Sequence, residues 1–189
     1  MTKLLGISGS LRRGSYNSAL LRAATRLMPE NAVLEVASIR GIPLYDYDVE
    51  LQGMPPVVTQ LKEAVVAADG VLLVTPEYNN SLPGVFKNTI DWLSRPPSDI
   101  KRVFGGRPFA LIGASPGPFG TVQSQTAWLP VLRTLGTHPW FGGRMAVARA
   151  GNVFEEDGTL KDAAIVEQLR QFLAGYVGFV RRAAAEPAA

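Results

Sequence analysis

The segment that most constrains the fold runs from Lys3 to Met28, where an apolar run, a polar loop with glycines and an amphipathic pattern follow one another. The apolar run, residues 3–8, predicts a buried strand. From Tyr16 onward, apolar residues recur at helical spacing and predict a helix. A loop that joins a strand to a helix presents free backbone N–H groups at the start of the helix, and these groups bind anions. The sequence therefore predicts an anion-binding loop after the first strand.

The glycines of this loop exclude two common nucleotide-binding motifs. Gly6, Gly9 and Gly14 do not have the spacing of the dinucleotide fingerprint G-x-G-x-x-G. Gly9 and Gly14 match the two glycines of a P-loop, but Ser15 stands where a P-loop needs its lysine. Without that cation the loop suits a single terminal phosphate, held by hydroxyl, amide and guanidinium groups. The candidate groups are those of Ser8, Ser10, Ser15 and Asn17, with Arg12 and Arg13 nearby.

A second interpretation of the same loop stays open when the loop is considered alone. A strand-to-helix turn needs an N-cap residue, and Ser15 is of a favourable type. The loop by itself does not separate a phosphate site from an ordinary turn.

Strand-like and helix-like patterns alternate along the rest of the chain. Such alternation predicts a parallel, doubly wound α/β sheet with helices on both faces. We expect a single domain over residues 1–180 and a frayed tail over residues 181–189. The further predicted strands are residues 33–38, 71–75, 108–114 and 141–147, and the further helices are residues 57–68, residues 83–94, a segment that ends near Leu135, and a last helix with its apolar stripe from Ile165 to Val180.

Two segments do not fit this regular pattern. Residues 45–56 are acidic and bounded by proline and glycine, and they are expected to form a long loop. Pro130 must either kink the helix that ends near Leu135 or mark its start, because proline has no N–H group to donate within a helix.

Three loops are predicted to leave the carboxyl ends of strands, and ligands of such sheets bind at that edge. They are residues 8–17, 76–81 and 115–120. Each also has an interpretation as rigid turn chemistry, for example with Asn79 and Asn80 in a special backbone conformation. Three such loops in one chain favour a shared ligand site.

The composition excludes several classes of chemistry. The chain has no cysteine, so thiolate nucleophiles, disulfides and iron–sulfur clusters are excluded. It has one histidine, His138, which excludes a multi-histidine metal site and is interpreted as structural. The net charge of +3 is scattered, so we expect no nucleic-acid partner. No apolar run reaches the roughly 18 residues of a membrane span. The first predicted strand leaves no room for a signal peptide, so we expect a cytoplasmic location.

Three stretches together resemble the NAD(P)H-dependent FMN reductase family, in its quinone and chromate reductase-like branch. They are Gly9-Ser-Leu-Arg-Arg-Gly-Ser-Tyr-Asn17, the stretch from Asp69 to Gly84 with its Thr-Pro-Glu-Tyr-Asn-Asn-Ser core, and Lys87-Asn-Thr-Ile-Asp-Trp-Leu-Ser-Arg95. In order and spacing the resemblance extends from about Lys3 to Val180. It implies a flavodoxin-like fold with a five-stranded parallel sheet in the order 2-1-3-4-5 and helices on both faces.

The resemblance also implies a non-covalently bound FMN, NAD(P)H as electron donor and a flavin that carries the chemistry without a catalytic side chain. The acceptor would be a quinone, free flavin, a dye or a metal oxyanion such as chromate, in a ping-pong reaction. A homodimer or homotetramer is implied, with residues 45–56 and 83–94 as candidate contacts. By position, the FMN phosphate would contact Ser10, Arg12, Ser15, Tyr16 and Asn17, the ring and ribityl chain would contact Pro76, Glu77, Tyr78 and Asn79, and Ser115 and Gly117 would border the ring on its other side.

Two other functions remain open at this point. A flavodoxin-like electron carrier would bind FMN without oxidising NAD(P)H, but such carriers are usually strongly acidic, whereas this chain carries a net charge of +3. A flavin-free nucleotide-binding or regulatory domain would bind no FMN at all. The sequence does not distinguish NADH from NADPH as the donor.

Overall fold

A computed structural model describes residues 1–185 as a parallel sheet covered by helices. The first five strands are hydrogen-bonded in the order β2-β1-β3-β4-β5, and β6 pairs with β4 beside β5. All of these pairs are parallel. The predicted order 2-1-3-4-5 is therefore confirmed, with a sixth short strand added. The strands are β1 (Thr2–Ser8), β2 (Ala32–Ala37), β3 (Gly70–Val74), β4 (Pro108–Ala114), β5 (His138–Pro139) and β6 (Ala146–Val147).

The helices cover both faces of the sheet, as predicted. On one face α1, α7 and α8 bury their apolar residues, and on the other α3, α4, α5 and α6 do so. The helices are α1 (Tyr16–Arg26), α2 (Tyr47–Gln52), α3 (Pro56–Ala67), α4 (Gly84–Leu93), α5 (Ile100–Val103), α6 (Val122–Thr134), α7 (Ala150–Val153) and α8 (Ala163–Ala185), with a 3₁₀ turn at Pro97–Asp99.

Strand β3 is the centre of the sheet and is buried along its whole length. Leu72 and Val74 point to the core under α1 and α8, whereas Val71 and Leu73 point to the core under α3, α4 and α6. A strand that is buried on both faces needs apolar residues at every position rather than at alternate ones. This is why its continuous aliphatic run could be identified from the sequence.

The edge of the sheet differs from the prediction of one fifth strand over residues 141–147. Two short strands, β5 and β6, pair with the beginning and the end of β4, and the chain leaves the sheet between them. The Trp140 ring packs edge-on against Phe172, with ring centres 4.7 Å apart. A Cβ atom on Gly142 would lie 2.5 Å from Nε1 of Trp140, so the backbone passes directly over the ring. Packing of Trp140 against α8 therefore interrupts the edge.

Two further segments, residues 45–56 and 181–185, differ from the predictions, and the structure distinguishes the two alternatives for Pro130. The segment 45–56 contains α2, and the side chain of Asp46 accepts a hydrogen bond from the Asp48 N–H (2.9 Å) at its start. Pro130 lies inside α6 rather than at its start, on the exposed side, where water can bind the carbonyl group that it leaves unpaired. Helix α8 continues to Ala185, so residues 181–185, assigned from the sequence to the tail, are helical. Residues 186–189 lie outside the described residues.

His138 lies near the amino ends of the strands, whereas the three loops follow their carboxyl ends. It pairs with Pro108, the first residue of β4, whereas the third loop follows the last residue of β4. Its ring packs edge-on against Phe179, with ring centres 4.6 Å apart. This placement agrees with a structural role. Within residues 1–185, no helix is both long and apolar enough to cross a membrane.

Tyr176 of α8 provides a prediction for the stability of the fold. Its hydroxyl is fully buried between β3 and β4, 2.9 Å from the Val71 carbonyl and 3.0 Å from the Pro108 carbonyl, and burial raises the pKa of the phenol. We expect Tyr176→Phe to lower the free energy of unfolding by about 1 kcal/mol, because a buried hydrogen bond is lost. Urea unfolding measures this. The exposed Tyr78 gives the control Tyr78→Phe in the same apoprotein, and equal stabilities of the two variants would contradict the prediction.

Candidate functional site

The three predicted loops meet at the carboxyl end of the sheet. Strands β1, β3 and β4 are adjacent and parallel, so their carboxyl ends lie side by side. Ser8 at the end of β1 is in register with Val74 at the end of β3. Between the loops lies a cavity of about 440 Å³, which we call the three-loop cleft. Its lining residues are Ser10, Arg12, Ser15, Tyr16, Asn17, Pro76, Glu77, Tyr78, Ala114, Ser115 and Pro116.

The first loop begins with a close approach at Gly9. Its N–H donates to the Val74 carbonyl (2.9 Å), which continues the β1–β3 pairing by one residue. A Cβ atom at this position would lie 2.2 Å from Cδ1 of Phe86. Phe86 is fully buried and packs edge-on against Trp128, with ring centres 5.1 Å apart, so it cannot move away. Gly9 is therefore required by the contact between the loop and α4.

The start of α1 is held by two side chains. Ser15 is the N-cap, and its hydroxyl accepts a hydrogen bond from the Ser18 N–H (3.3 Å). Asn17 is buried, and its carboxamide both donates to the Ala114 carbonyl and accepts from the Ala114 N–H, each at 2.9 Å. These two bonds fix the start of α1 to the end of β4. The Asn17 side chain is thus engaged by the backbone, while the N–H groups of the first turn have no acceptor within the helix.

Arginine and aromatic side chains border the cleft beside α1. The Arg12 guanidinium lies over the Tyr16 ring, 5.4 Å from its centre, and the Tyr16 ring stacks on Phe154 with centres 5.7 Å apart. Arg13 does not line the three-loop cleft. It lines a neighbouring cavity of about 450 Å³ that also contains Glu156 and other acidic residues. Arg12 lines both cavities, so the two arginines differ in that only Arg12 reaches the three-loop cleft.

The second loop contains a tight turn. Tyr78 and Ser81 exchange two backbone hydrogen bonds of 3.1 and 3.0 Å. Between them Asn79 and Asn80 have φ angles of 50° and 58°, a left-handed pair typical of a two-residue type I′ turn, in which asparagine is favoured. The special conformation expected at these two residues is present. The turn also carries Asn79 outside the lining of the cleft.

Glu77 has a structural contact in addition to its position in the cleft. Its carboxylate accepts a hydrogen bond from the Ser124 N–H (3.0 Å), in the first turn of α6. A negative charge at this end of a helix is favourable, because the unpaired N–H groups there carry partial positive charge. The cap residue of α6, Thr121, makes no side-chain capping bond, so Glu77 from the second loop supplies that interaction.

The third loop is fixed against the segment that follows β6. The Ser115 N–H donates to the Val147 carbonyl (2.9 Å), and its hydroxyl accepts from the Gly117 N–H (3.1 Å). The Gly117 carbonyl accepts from the Arg149 N–H (2.9 Å), which directs Gly117 away from the cleft. Ser115 and Pro116 remain in the lining.

The structure thus brings together most of the candidate residues. The exceptions, which do not line the cleft, are Ser8, Arg13, Asn79 and Gly117. The Ser8 hydroxyl lies instead 3.0 Å from the Ser18 hydroxyl. Sequence reasoning missed Ala114 and Pro116. Ala114 is the last residue of a predicted strand, and Pro116 lies in the loop that follows it. Their positions in the sequence indicated a place near the ligand site, although their side chains are not polar. Within residues 1–185, no group of three or more histidine, aspartate or glutamate side chains is placed to hold a metal ion.

Comparisons with known proteins give a consistent result. The sequence pattern described as NADPH-dependent FMN reductase matches residues 2–152. The chain is similar to an NAD(P)H-dependent FMN reductase of Pseudomonas aeruginosa, with 46% identity over 95% of this chain and 96% of the relative. It is also similar to a 2-hydroxy-1,4-benzoquinone reductase of Burkholderia, with 35% identity over 95% of this chain and 96% of the relative.

A solved structure shows the same architecture. The flavoenzyme NAD(P)H:(acceptor) oxidoreductase FerB of Paracoccus denitrificans superimposes with a TM-score of 0.86 and 29% identity. The match covers 96% of this chain and 98% of the other. The likeness therefore includes α8 and the edge strands as well as the segments that form the cleft.

Proposed function

The chain belongs to the NADPH-dependent FMN reductase family, and from this premise we propose that it binds FMN in the three-loop cleft and transfers electrons from NAD(P)H to quinones. The observation that carries the proposal is the convergence of three loops on one cleft with a polar end at α1 and a less polar end at Pro76 and Pro116. In a flavodoxin-like FMN enzyme, the phosphate and the ring of FMN both bind beside the carboxyl ends of the strands.

The residues at the polar end fit a phosphate group. The N–H groups of Tyr16 and Asn17, which have no acceptor within the helix, and the partial positive charge of that helix end attract an anion. Ser10 and Ser15 offer hydroxyl groups, and Arg12 offers the guanidinium group that lines this cleft. Asn17 supports the phosphate through its backbone N–H and through the position of α1, since its carboxamide is bound to Ala114.

The residues at the other end fit a flat aromatic ring. Pro76, Tyr78 and Pro116 present apolar surface, and the cavity of about 440 Å³ lies within the range of roughly 300–1,000 Å³ typical of ligand pockets. Ser115 borders the cleft opposite the second loop. Contacts of Asn79 and Gly117 with the ring, expected from the sequence, are not part of the proposal, because both residues lie outside the lining.

When bound, FMN would supply the hydride and electron-transfer chemistry that links NAD(P)H to the acceptor in a ping-pong reaction. The sum of the reaction is NAD(P)H plus a proton plus quinone giving NAD(P)⁺ plus hydroquinone. The name of the Burkholderia relative supports a quinone as acceptor. Free flavins, dyes and chromate are further candidate acceptors, and Arg12 beside the cleft would attract anionic ones.

An anaerobic stopped-flow experiment tests the proposed reaction. The protein is reconstituted with FMN, mixed with NADPH or NADH, and then mixed with a benzoquinone. Bleaching of the oxidised flavin band by the nucleotide and its recovery with the quinone would support the reductase and identify the preferred donor. Bound flavin that neither nucleotide reduces would favour the electron carrier, and an absence of bound flavin would leave the flavin-free domain.

Arg12 provides the sharpest test of the phosphate end. We expect Arg12→Ala to raise the dissociation constant of FMN about 10-fold to 100-fold, because a hydrogen bond to a charged group contributes about 1.5–3 kcal/mol. Quenching of FMN fluorescence during titration of the apoprotein measures the constant. Arg13→Ala is the matched control, since it removes the same charge from the adjacent residue, which lines the second cavity but not the three-loop cleft. Equal effects of the two substitutions would contradict a specific contact of Arg12.

We also propose that the protein forms a homodimer or homotetramer through residues 45–56 and α4. Large apolar side chains in and near the first segment support this contact, because Leu44, Tyr47 and Leu51 are each more than half exposed. Val85 of α4 adds further exposed apolar surface. Exposed apolar residues that occur together are typical of contact surfaces. The absence of cysteine is compatible with the cytoplasmic location that we propose.

A further inference from the structure

We propose that Thr75 is a positioning residue whose buried hydroxyl fixes the Pro76–Glu77 peptide, so that the Glu77 N–H points into the three-loop cleft toward the bound flavin. The inference rests on the proposed function, because it concerns how the same cleft holds FMN. It extends that function to residues behind the cleft, since neither Thr75 nor its partners on α6 belong to the lining.

The observation is a buried group of three polar side chains behind the second loop. Thr75, Ser124 and Trp128 are each fully buried. Oγ1 of Thr75 lies 2.9 Å from the Pro76 carbonyl oxygen, 2.9 Å from Oγ of Ser124 and 3.0 Å from Nε1 of Trp128. Three polar contacts on one hydroxyl group in the core use its full hydrogen-bonding capacity.

The positions of the protons follow from counting donors and acceptors. Nε1 of Trp128 only donates, so Thr75 accepts that bond. Among the described residues, Thr75 is the hydrogen-bond partner of the Ser124 hydroxyl, so the Ser124 proton is also directed to Thr75. The Thr75 proton then goes to the carbonyl oxygen of Pro76. In this arrangement every donor of the group has an acceptor.

The orientation of one peptide unit follows from that last bond. The Pro76–Glu77 peptide is planar and trans, so its C=O and N–H groups point in opposite directions. Thr75 holds the C=O toward the buried side chains of α6. The Glu77 N–H therefore points away from them, toward the cleft that Pro76 and Glu77 line.

The Glu77 side chain also helps to fix the Pro76–Glu77 peptide, through its contact with α6. Its carboxylate is bound by the Ser124 N–H at 3.0 Å. The bond to α6 fixes the position of Glu77, and the bond to Thr75 opposes rotation of the Pro76–Glu77 peptide. The N–H is thus fixed before the flavin binds, and a fixed donor stabilises charge that develops on reduction without the cost of reorganisation.

The test compares the reduction potential of bound FMN in three variants with that of the wild type. Thr75→Val removes the hydroxyl at nearly constant shape, and Thr75→Ser retains it. Ser124→Ala removes a different member of the same buried group, but it leaves the bond from Thr75 to Pro76. Thermal unfolding of the apoproteins is measured in parallel, and we expect both Thr75→Val and Ser124→Ala to lower the melting temperature.

We expect a more negative potential for Thr75→Val alone. A tenfold weaker binding of reduced FMN relative to oxidised FMN corresponds to a shift of about 30 mV for two electrons. Thr75→Ser should restore the wild-type potential, and Ser124→Ala should retain it despite its lower stability. A purely structural role of Thr75 predicts instead that the potential follows stability, so an unshifted Thr75→Val or an equally shifted Ser124→Ala would overturn the inference.

One further measurement applies if a variant does not fold, and FMN binding by the wild type separates failure of this inference from failure of the proposed function. If Thr75→Val does not fold, the Glu77 amide resonance of the ¹⁵N-labelled wild type is followed during addition of FMN. A shift of that resonance is expected, and an unchanged resonance with bound FMN would overturn the inference. If the wild type itself binds no FMN, the proposed function fails. If it binds FMN and the Thr75 variants match it, only the role of Thr75 fails.

Discussion

Replacement of Asn17 with alanine is expected to lower the free energy of unfolding by about 2–6 kcal/mol and to weaken FMN binding at least about tenfold. The carboxamide is buried and makes two hydrogen bonds of 2.9 Å to Ala114. Its removal leaves a buried N–H and a buried C=O without partners, each at a cost of about 1–3 kcal/mol. The loss of these bonds also frees the start of α1, which forms the phosphate end of the cleft.

Chemical denaturation and FMN titration measure the two effects of Asn17→Ala separately. The control is Asn31→Ala, at an exposed asparagine that precedes β2. That control should change the free energy of unfolding by less than about 0.5 kcal/mol, as surface substitutions usually do. A similar stability for both variants would show that the contact between α1 and β4 is not important. Unchanged FMN affinity in a destabilised Asn17→Ala would show that the start of α1 does not depend on it.

The substitution Gly9→Ala is expected to have the second large effect. The added Cβ atom would lie 2.2 Å from Phe86, and the Phe86 ring is held by Trp128. Overpacking of this kind costs about 1–3 kcal/mol, because side chains and backbone must shift. The melting temperature should fall by about 2–4 °C per kcal/mol in a chain of this length. FMN affinity should fall as well, since the displaced loop carries Ser10 and Arg12.

The same loop offers a matched control in Gly14→Ala. A Cβ atom on Gly14 would meet only Nη1 of Arg12, at 3.7 Å, which is an ordinary contact with a mobile side chain. The substitution should leave stability unchanged or raise it by up to about 1 kcal/mol, because alanine restricts the unfolded chain. Equal melting temperatures for Gly9→Ala and Gly14→Ala would contradict the close contact at Gly9.

The architecture could be predicted from the sequence because the evidence for it is local. Continuous aliphatic runs such as residues 71–75 predict central strands, and the loops that follow them were located correctly. The strand order 2-1-3-4-5 came with the family resemblance and not from periodicity. The α2 helix was missed, because it has only six residues and its aliphatic ones, Val49 and Leu51, are two positions apart rather than three or four.

The contacts that hold the cleft could not be predicted, because they join residues far apart in the chain. Asn17 is bound to Ala114, and Glu77 to the first turn of α6. The sequence indicated that both side chains are polar and near strand ends, which is why they were assigned to a ligand. It did not indicate that each has a backbone partner. The split of the edge strand depends in the same way on the packing of Trp140 against α8.

The Tyr78–Ser81 turn differs from the other walls of the cleft in how little of the fold depends on it. It is closed by its own two backbone hydrogen bonds, and the side chains of Tyr78, Asn79 and Asn80 are exposed. The left-handed φ angles restrict Asn79 and Asn80 to asparagine, glycine or aspartate, whereas Tyr78 carries no such restriction. Substitutions of Tyr78 therefore cost little folding stability. This position is a suitable one to vary in libraries from which variants active on new electron acceptors are selected.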